Sequence, residues 1–169
     1  VYVINSSYDM SNEENLTIYK NEQNIKTEKA QNFYGWAIQN ADVVFYEGHS
    51  RDGGGPDFAP PVAARNGKVN YSWYHKHKPG LKFLLNQLDQ LNKAPMIFGL
   101  FSCASQPHFQ SRISKYFGDS NTIMSTKVVE AHYTKEALLY SLESILNFEC
   151  TDQLSSRLKG SSFIINRHF

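Results

Sequence analysis

The sequence is poor in the features that mark a membrane span, a nucleic-acid surface or a disulfide framework. Its longest apolar runs are far shorter than the roughly 18 residues that a membrane span needs. Its 17 basic and 16 acidic residues leave a net charge of +1, and no stripe of Lys or Arg follows a helix face. We therefore expect neither a membrane span nor a nucleic-acid partner. Two cysteines, Cys103 and Cys150, are too few for a disulfide framework.

The chain also lacks an initiating Met, since Val1 opens directly into an apolar segment. We expect a processed chain or one domain excised from a longer protein, which leaves open an association with other parts of that parent chain. A length of 169 residues fits a single domain, residues 1–169, that folds without disulfides. The sequence does not determine the cellular compartment and weakly favours an exported or extracytoplasmic protein.

Two apolar runs each lead directly into a reactive side chain. Residues 43–48 lead to His49, and residues 96–102 lead to Cys103. Buried strands that are separated by a helical segment are typical of neighbours in a parallel sheet. Because open α/β sheets bind ligands at the carboxyl ends of their strands, we expect this imidazole and this thiol at one edge of the sheet. They are then a candidate Cys-His nucleophile pair.

The remaining patterns predict an α/β fold in which helices alternate with strands. Apolar spacing predicts helices over residues 28–40, 80–91, 109–117, 134–148 and 151–160. Strands are predicted over residues 1–5, 16–19, 43–49, 95–103, 121–126 and 162–166, and residues 68–74 as a strand or hairpin arm. This order indicates a three-layer α/β/α sandwich with a mostly parallel central sheet.

The surroundings of Cys103 favour a reactive thiol. A helix is predicted to open near Pro107, and the positive end of a helix stabilises a thiolate. His49 would act as the acid/base partner, an effect typically worth about 10²–10⁴ in rate. The small side chains of Ser102, Ala104 and Ser105 would let a peptide backbone approach the sulfur. The alternative is that Cys103 is a small buried apolar residue, as most cysteines are.

One predicted strand leads through Gly48 and His49 to a small residue, and a second leads into Cys103-Ala104-Ser105. Cys103 follows His49 by 54 residues, and this arrangement resembles the caspase/hemoglobinase group of cysteine peptidases. This group includes caspases, legumains, gingipains, separases and the bacterial caspase-like domains. Caspases carry Gln-Ala before the Cys and Arg-Gly after it, whereas this chain has Phe101-Ser102 and Ala104-Ser105. The chain therefore resembles the gingipain, separase and bacterial members more than true caspases.

The resemblance implies a caspase-like sheet and a cysteine endopeptidase that acts through a thioester acyl-enzyme on a peptide or protein substrate. Cys103 would be the nucleophile and His49 its acid/base partner, and the backbone N–H groups of Ser50 and Cys103 would form the oxyanion hole. No cofactor is implied. The histidines could in principle hold zinc, but His75, His77, His108 and His132 lack an accepted ligand spacing, so no metal site is predicted.

The resemblance also implies substrate contacts beside the nucleophile, at Arg51, Asp52, Ser102, Ser125 and Thr126. Asp52 and Asp57, on a glycine-rich loop interpreted as a flexible flap, could receive a basic side chain, and Arg51 an acidic one. The alternative is that these charges only solvate a surface loop. Glu47 lies two residues before His49 on the same strand face and could orient the imidazole, or be structural.

A second functional hypothesis is a catalytically inactive binding or scaffolding module with the same α/β core. Members of the group usually have Gly directly after the His, where this chain has Ser50. A different α/β hydrolase is disfavoured, because neither a G-x-S-x-G nor a G-x-C-x-G elbow occurs in the sequence.

Overall fold

The computed structural model describes residues 1–6, 19–118, 121–158 and 162–167, and over these residues the chain has an α/β fold. The α-helices described are α1 (Lys20–Asn40), α2 (Tyr71–His77), α3 (Pro79–Leu88), α4 (Ser105–Ile113), α5 (Ala131–Leu146) and α6 (Thr151–Leu158). The strands described are β1 (Val43–Glu47), β2 (Ile97–Phe101), β3 (Asn121–Ser125) and β4 (Phe163–Arg167). Short 3₁₀ helices lie at Arg51–Gly53 and Ser114–Tyr116.

The four strands form one open, mixed sheet in the order β1-β2-β3-β4. β1 pairs with β2 and β2 with β3 in parallel, whereas β4 lies antiparallel to β3. The predicted parallel pairing of the two apolar strands is therefore confirmed. Parallel neighbours require a crossover connection, which the intervening helices supply here.

Two hydrophobic clusters hold the helices against the sheet. The larger cluster joins α1, α3 and α4 to the sheet through Ile38, Leu84, Phe98, Leu100 and Phe109. The second cluster joins α5 and α6 to it through Phe101, Ile123, Ala137, Leu154 and Leu158. Burying one such Leu, Ile or Phe side chain contributes about 1.5–3 kcal/mol. The strand ends that carry the candidate site therefore rest on a well-packed core.

Two elements near the amino terminus differ from the prediction. Residues 1–5 do not form a strand, and the side chains of Val1, Tyr2 and Val3 are 81–90% exposed. Helix α1 begins at Lys20, whereas the predicted helix begins at residue 28. The prediction missed the first turns because they are polar and carry little of the apolar periodicity that marks a helix in a sequence. Most of the predicted strand at residues 16–19 lies outside the described residues.

The segment after Gly67 also differs from the prediction. Ala63 and Val69 form an isolated antiparallel bridge around a turn in which Gly67 has a φ of +77°, as a hairpin would. The predicted arm nevertheless becomes helix α2, which begins where the Asn70 side chain accepts a hydrogen bond from the Trp73 backbone N–H (3.0 Å). Within the part of the chain that is described, no helix has both the length and the apolar character to cross a bilayer.

Candidate active site

The register of β1 and β2 brings the two reactive residues to the same edge of the sheet. Glu47 is paired with Phe101, and the Gly48 backbone N–H donates to the Phe101 carbonyl (3.2 Å). His49 and Cys103 therefore each lie two residues beyond an aligned pair, on neighbouring parallel strands. The thiol and the imidazole thus share one rim, where parallel sheets place their ligands.

Several backbone N–H groups at this rim donate no hydrogen bond to a described group, among them those of His49, Ser50, Arg51, Asp52 and Cys103. The strand ladder ends at Gly48, and neither the Ser50 nor the Cys103 N–H donates a hydrogen bond to any described group. Exposed donors are satisfied by water, whereas most buried donors are paired within the protein, so the free N–H of the buried Ser50 needs an explanation. The Ser50 and Cys103 N–H groups are the two that were predicted to form an oxyanion hole.

Both reactive residues are followed by turns with left-handed backbone. After His49 and Ser50, the φ angles of Arg51, Asp52 and Gly53 are +47°, +53° and +82°. Ala104, directly after Cys103, has a φ of +48°. Left-handed non-glycine residues are uncommon, and such conformations cluster at functional sites. The two turns bend the chain sharply just beyond the rim.

The Cys103 thiol is partly buried and contacts the loop that follows β3. Its sulfur donates to the Val129 carbonyl (3.2 Å), and the Ala104 N–H donates to the Lys127 carbonyl (2.8 Å). Among the residues described, no hydrogen bond joins the His49 ring to the Cys103 sulfur. Catalytic pairs are often not closed in the absence of substrate, so this geometry is compatible with a resting site.

Two of the residues predicted to contact the substrate, Ser102 and Ser125, are buried, and the prediction is wrong for their side chains. Ser125 is fully buried, and its hydroxyl donates to the Ser102 carbonyl (2.5 Å) and accepts from the Ser105 N–H (3.0 Å). The Ser102 side chain is also fully buried. Ser125 thus locks the turn after Cys103 onto β3, whereas the buried Ser102 hydroxyl has no partner among the described residues. Neither side chain can touch a substrate. Thr126 is exposed, although its N–H donates to the Ser162 carbonyl (2.7 Å).

Arg51 is likewise unavailable to an acidic substrate. It is 7% exposed, and its Nε lies 2.6 Å from the Asp57 carboxylate, which is 9% exposed. Each charge of this pair is compensated by the other within the protein, so the predicted substrate roles of Arg51 and Asp57 are replaced by a structural ion pair.

Asp52, on the loop that follows His49, remains accessible, as does Glu47 at the end of β1. The Asp52 side chain is 43% exposed and contacts two histidines, His75 (Nε2–Oδ2 2.5 Å) and His108 (Nε2–Oδ1 3.5 Å). This leaves Asp52 as the residue of the loop best placed to meet a basic group. Across the described ranges, no three His, Cys, Asp or Glu side chains are arranged to hold a metal ion.

The glycine-rich loop is packed against the site, unlike the open flap that its composition suggested. Gly53, Gly54 and Gly55 are buried, and the N–H groups of Gly53 and Gly55 both donate to the Ser50 carbonyl (3.0 and 2.8 Å). The loop therefore supports the residue after His49. Gly55 is required because a Cβ at this position would lie 2.6 Å from the His49 carbonyl oxygen.

Glu47 and Thr134 interact with each other. Thr134, where the predicted helix starts, lies one turn inside α5, and its hydroxyl contacts both the Ala131 carbonyl (2.7 Å) and the Glu47 carboxylate (3.2 Å). The Glu47 carboxylate thus ties β1 to α5, which corresponds to the structural alternative for this residue.

Sequence reasoning missed the hydroxyl groups that support the His49 turn. Tyr46 lies within the apolar run of residues 43–48 and Tyr74 within the predicted strand or hairpin arm of residues 68–74, and no role at the site is predicted for either. In the structure, the Tyr46 hydroxyl lies within hydrogen-bond distance of His49 and Asp57, and the Tyr74 hydroxyl donates to the Asp57 carboxylate (3.1 Å). The available signal was a Tyr three residues before the reactive His, because a buried Tyr hydroxyl usually has a partner.

The pKa of His49 is lowered from its ordinary value. Desolvation is the largest cause and the positive charge of Arg51 the second, while Asp57 acts in the opposite direction. A lowered pKa keeps the imidazole neutral near pH 7, which is the form that accepts a proton.

We expect an NMR titration to place the midpoint of the His49 ring protons below pH 6.5, the ordinary value for histidine. The signal is assigned by its loss in His49→Asn. Because the unfolded chain then binds more protons than the folded one, the contribution of His49 to stability falls as the pH drops below about 6.5. A His49 midpoint above 6.5 would contradict the stated environment.

Searches with protein-family models, with curated proteins and with solved structures find no match to this chain.

Proposed function

We propose that the chain is a cysteine endopeptidase that cleaves peptide bonds with Cys103 as nucleophile and His49 as acid/base partner. One observation carries the proposal: parallel, in-register strands end with the imidazole and the thiol at equivalent points of one rim. The unpaired N–H groups of Ser50 and Cys103 support it further. The proposal extends to a caspase-like three-layer sandwich with a mostly parallel sheet, supported by the two hydrophobic clusters and by two parallel strand pairings.

The acylation step uses the groups on the rim. His49 takes the thiol proton, which also ends the hydrogen bond from the sulfur to Val129. The sulfur attacks the carbonyl carbon, and the two backbone N–H groups stabilise the negative oxygen. A single donor of this kind contributes roughly 2.7–4 kcal/mol in a well-studied peptidase. His49 then passes its proton to the departing amine, which leaves a thioester on Cys103.

The deacylation step repeats this chemistry with water. His49 takes a proton from a water molecule while the water oxygen attacks the thioester carbon, and the same N–H groups again stabilise the negative oxygen. Collapse of this intermediate releases the carboxylic acid and returns the proton to the sulfur. His49 alternates between base and acid, for which a pKa near or below neutrality is suitable.

The substrate side of the proposal rests on the exposed residues of the rim. Asp52 would bind a basic side chain next to the scissile bond, in exchange for its contacts with His75 and His108. Thr126, at the end of β3, would line the cleft. Ser102 and Ser125 contribute only by fixing the turn that presents Cys103.

The experiment that tests the proposal compares two thiols of the same chain. Cys150 is exposed and Cys103 only partly so, so accessibility alone predicts faster alkylation of Cys150. We expect a peptidyl acyloxymethyl ketone with a basic residue at its cleavage position to label Cys103 selectively, because the rim activates this thiol. Peptide mapping by mass spectrometry identifies the labelled residue. Labelling of Cys150 alone would contradict the proposal.

A second candidate, an inactive binding module, is favoured by one specific observation. The Cys103 sulfur is engaged with the Val129 carbonyl, and no hydrogen bond to His49 is present within the described part of the chain. A module of this kind would bind peptides under reducing conditions without cleaving them. Turnover of any bound peptide by the wild-type chain excludes it.

A further inference from the structure

The Tyr46 side chain connects the hydrophobic core to the turn that carries His49. Its ring is buried against Tyr34, Phe58 and the rest of the larger cluster. Its hydroxyl lies 3.1 Å from the His49 carbonyl and 3.0 Å from the Asp57 carbonyl, and accepts from the Asp57 N–H (2.8 Å). Burial raises the pKa of Tyr46 far above its ordinary value, so the hydroxyl keeps its proton.

The single proton of the Tyr46 hydroxyl is shared between the His49 and Asp57 carbonyls. Its interaction with the His49 carbonyl also fixes the N–H group on the opposite side of the same peptide. The His49 carbonyl and the Ser50 N–H belong to one planar peptide unit, in which they point in opposite directions. Holding the carbonyl against Tyr46 therefore fixes the direction of the Ser50 N–H, which has no partner among the described residues. Rotation of this peptide would turn the donor away from the rim.

The surrounding contacts leave the Tyr46 hydroxyl little freedom to move. Gly48 packs against its ring, since a Cβ at Gly48 would lie 2.7 Å from the Tyr46 Cζ. The backbone of Asp57 contacts the hydroxyl, and the Asp57 carboxylate is held in turn by Arg51 (2.6 Å) and by the Tyr74 hydroxyl (3.1 Å). A buried ion pair of this kind is costly to disturb, because either partner alone is an uncompensated charge.

From this geometry we infer that Tyr46 is a positioning residue for the oxyanion hole: its hydroxyl locks the peptide between His49 and Ser50 so that the Ser50 N–H faces the Cys103 rim. The inference rests on the proposed peptidase function. Tyr46 acts through the backbone and touches no substrate.

Tyr46→Phe tests the inference, with Tyr34→Phe as a matched control. Tyr34 is also a buried tyrosine of the same cluster, but its hydroxyl has no partner in the described structure. We expect Tyr46→Phe to lower kcat by about 10- to 100-fold with KM changed less than about twofold, because the lost interaction acts on the transition state. Tyr34→Phe should leave both values within about twofold of wild type.

A second readout separates positioning from general damage. Iodoacetamide alkylates a thiol without forming an oxyanion, so its rate at Cys103 should stay within about twofold in Tyr46→Phe. The Cys103 thiol adds to the carbonyl of a peptide aldehyde, and the resulting oxygen is bound by the oxyanion hole. The affinity for the aldehyde should therefore fall about tenfold or more in Tyr46→Phe. Equal losses with both reagents, or no loss with either, would overturn the inference.

NMR distinguishes failure of the inference about Tyr46 from failure of the proposed peptidase function. In a chain that cleaves no peptide, the Ser50 amide signal still reports the orientation of its peptide, and it should shift in Tyr46→Phe and not in Tyr34→Phe. An unchanged Ser50 signal overturns the inference in either case. If Tyr46→Phe does not fold, Gly48→Ala takes its place, because the added Cβ displaces the Tyr46 hydroxyl while keeping it in the chain.

Discussion

Replacing Cys103 with Ala is expected to reduce peptide cleavage by roughly 10⁴-fold or more, since removal of a catalytic nucleophile from a peptidase costs up to about 10⁶ in kcat. The loss follows from the mechanism: without the sulfur no thioester forms, and the oxyanion hole retains only its contribution to direct attack by water. The measurement is the initial rate of hydrolysis of a fluorogenic peptide with a basic residue before the cut.

The chain contains its own control for this change. Cys150 is exposed and lies before α6, remote in sequence from the rim, so Cys150→Ala should leave the rate within about twofold of wild type. His49→Ala should reduce the rate by about 10²-fold or more, because acid/base catalysis is lost while the thiol remains. Cleavage that survives Cys103→Ala at the wild-type rate would refute the peptidase proposal.

The stability of the Cys103→Ala variant separates lost chemistry from lost structure. The side chain is only partly buried, and among the described residues its sulfur makes one hydrogen bond, to the Val129 carbonyl. The loss of one such bond costs about 1 kcal/mol, too little to unfold a domain of ordinary stability. Unfolding of the variant under assay conditions would therefore show that Cys103 is mainly structural.

The sequence was sufficient to predict the part of the site that the strands determine. Alternation of apolar runs with helical periodicity indicated neighbouring parallel strands, and the residues after them followed from the positions where the runs end. The pairing of Glu47 with Phe101 follows from the same pattern, since buried strands pair along their apolar lengths. This is why His49 and Cys103 could be predicted as partners on one rim.

The rest of the site depends on three-dimensional contacts that leave no pattern in the sequence. A serine at a strand end looks the same whether it faces a cleft or a neighbouring turn, so the burial of Ser125 against Ser102 and Ser105 could not be anticipated. Charge on a glycine-rich loop normally indicates exposure. Arg51 and Asp57 reverse this expectation, because each neutralises the other inside the fold.

The Gly80→Ala variant is expected to lose about 3 kcal/mol of folding stability, the largest loss that we predict for a single methyl group in this chain. Gly80 is the second residue of α3, and its N–H donates to the Gly54 carbonyl (2.8 Å). A Cβ at this position would overlap the Pro56 carbonyl oxygen and lie 2.7 Å from the Gly55 carbonyl carbon. These atoms are backbone and cannot rotate away as a side chain could.

Helix propensity predicts the opposite sign, which makes the test decisive. Within a helix Ala is favoured over Gly by about 1 kcal/mol, so without the overlap the variant would be more stable. Gly35→Ala in α1 is the matched control, because its Cβ would meet mainly the flexible end of Gln87, 3.0 Å away. We expect this variant to stay within about 1 kcal/mol of wild type.

Chemical denaturation measures both variants, with the midpoint and the slope fitted separately. For a chain of this size the expected loss in Gly80→Ala corresponds to a fall in Tm of roughly 6–12 °C. The same overlap pushes on the loop that donates two hydrogen bonds to the Ser50 carbonyl, so alkylation of Cys103 and the Ser50 amide signal should change as well. Equal stabilities for Gly80→Ala and Gly35→Ala would show that the loop yields freely, and that it cannot hold the His49 turn in place.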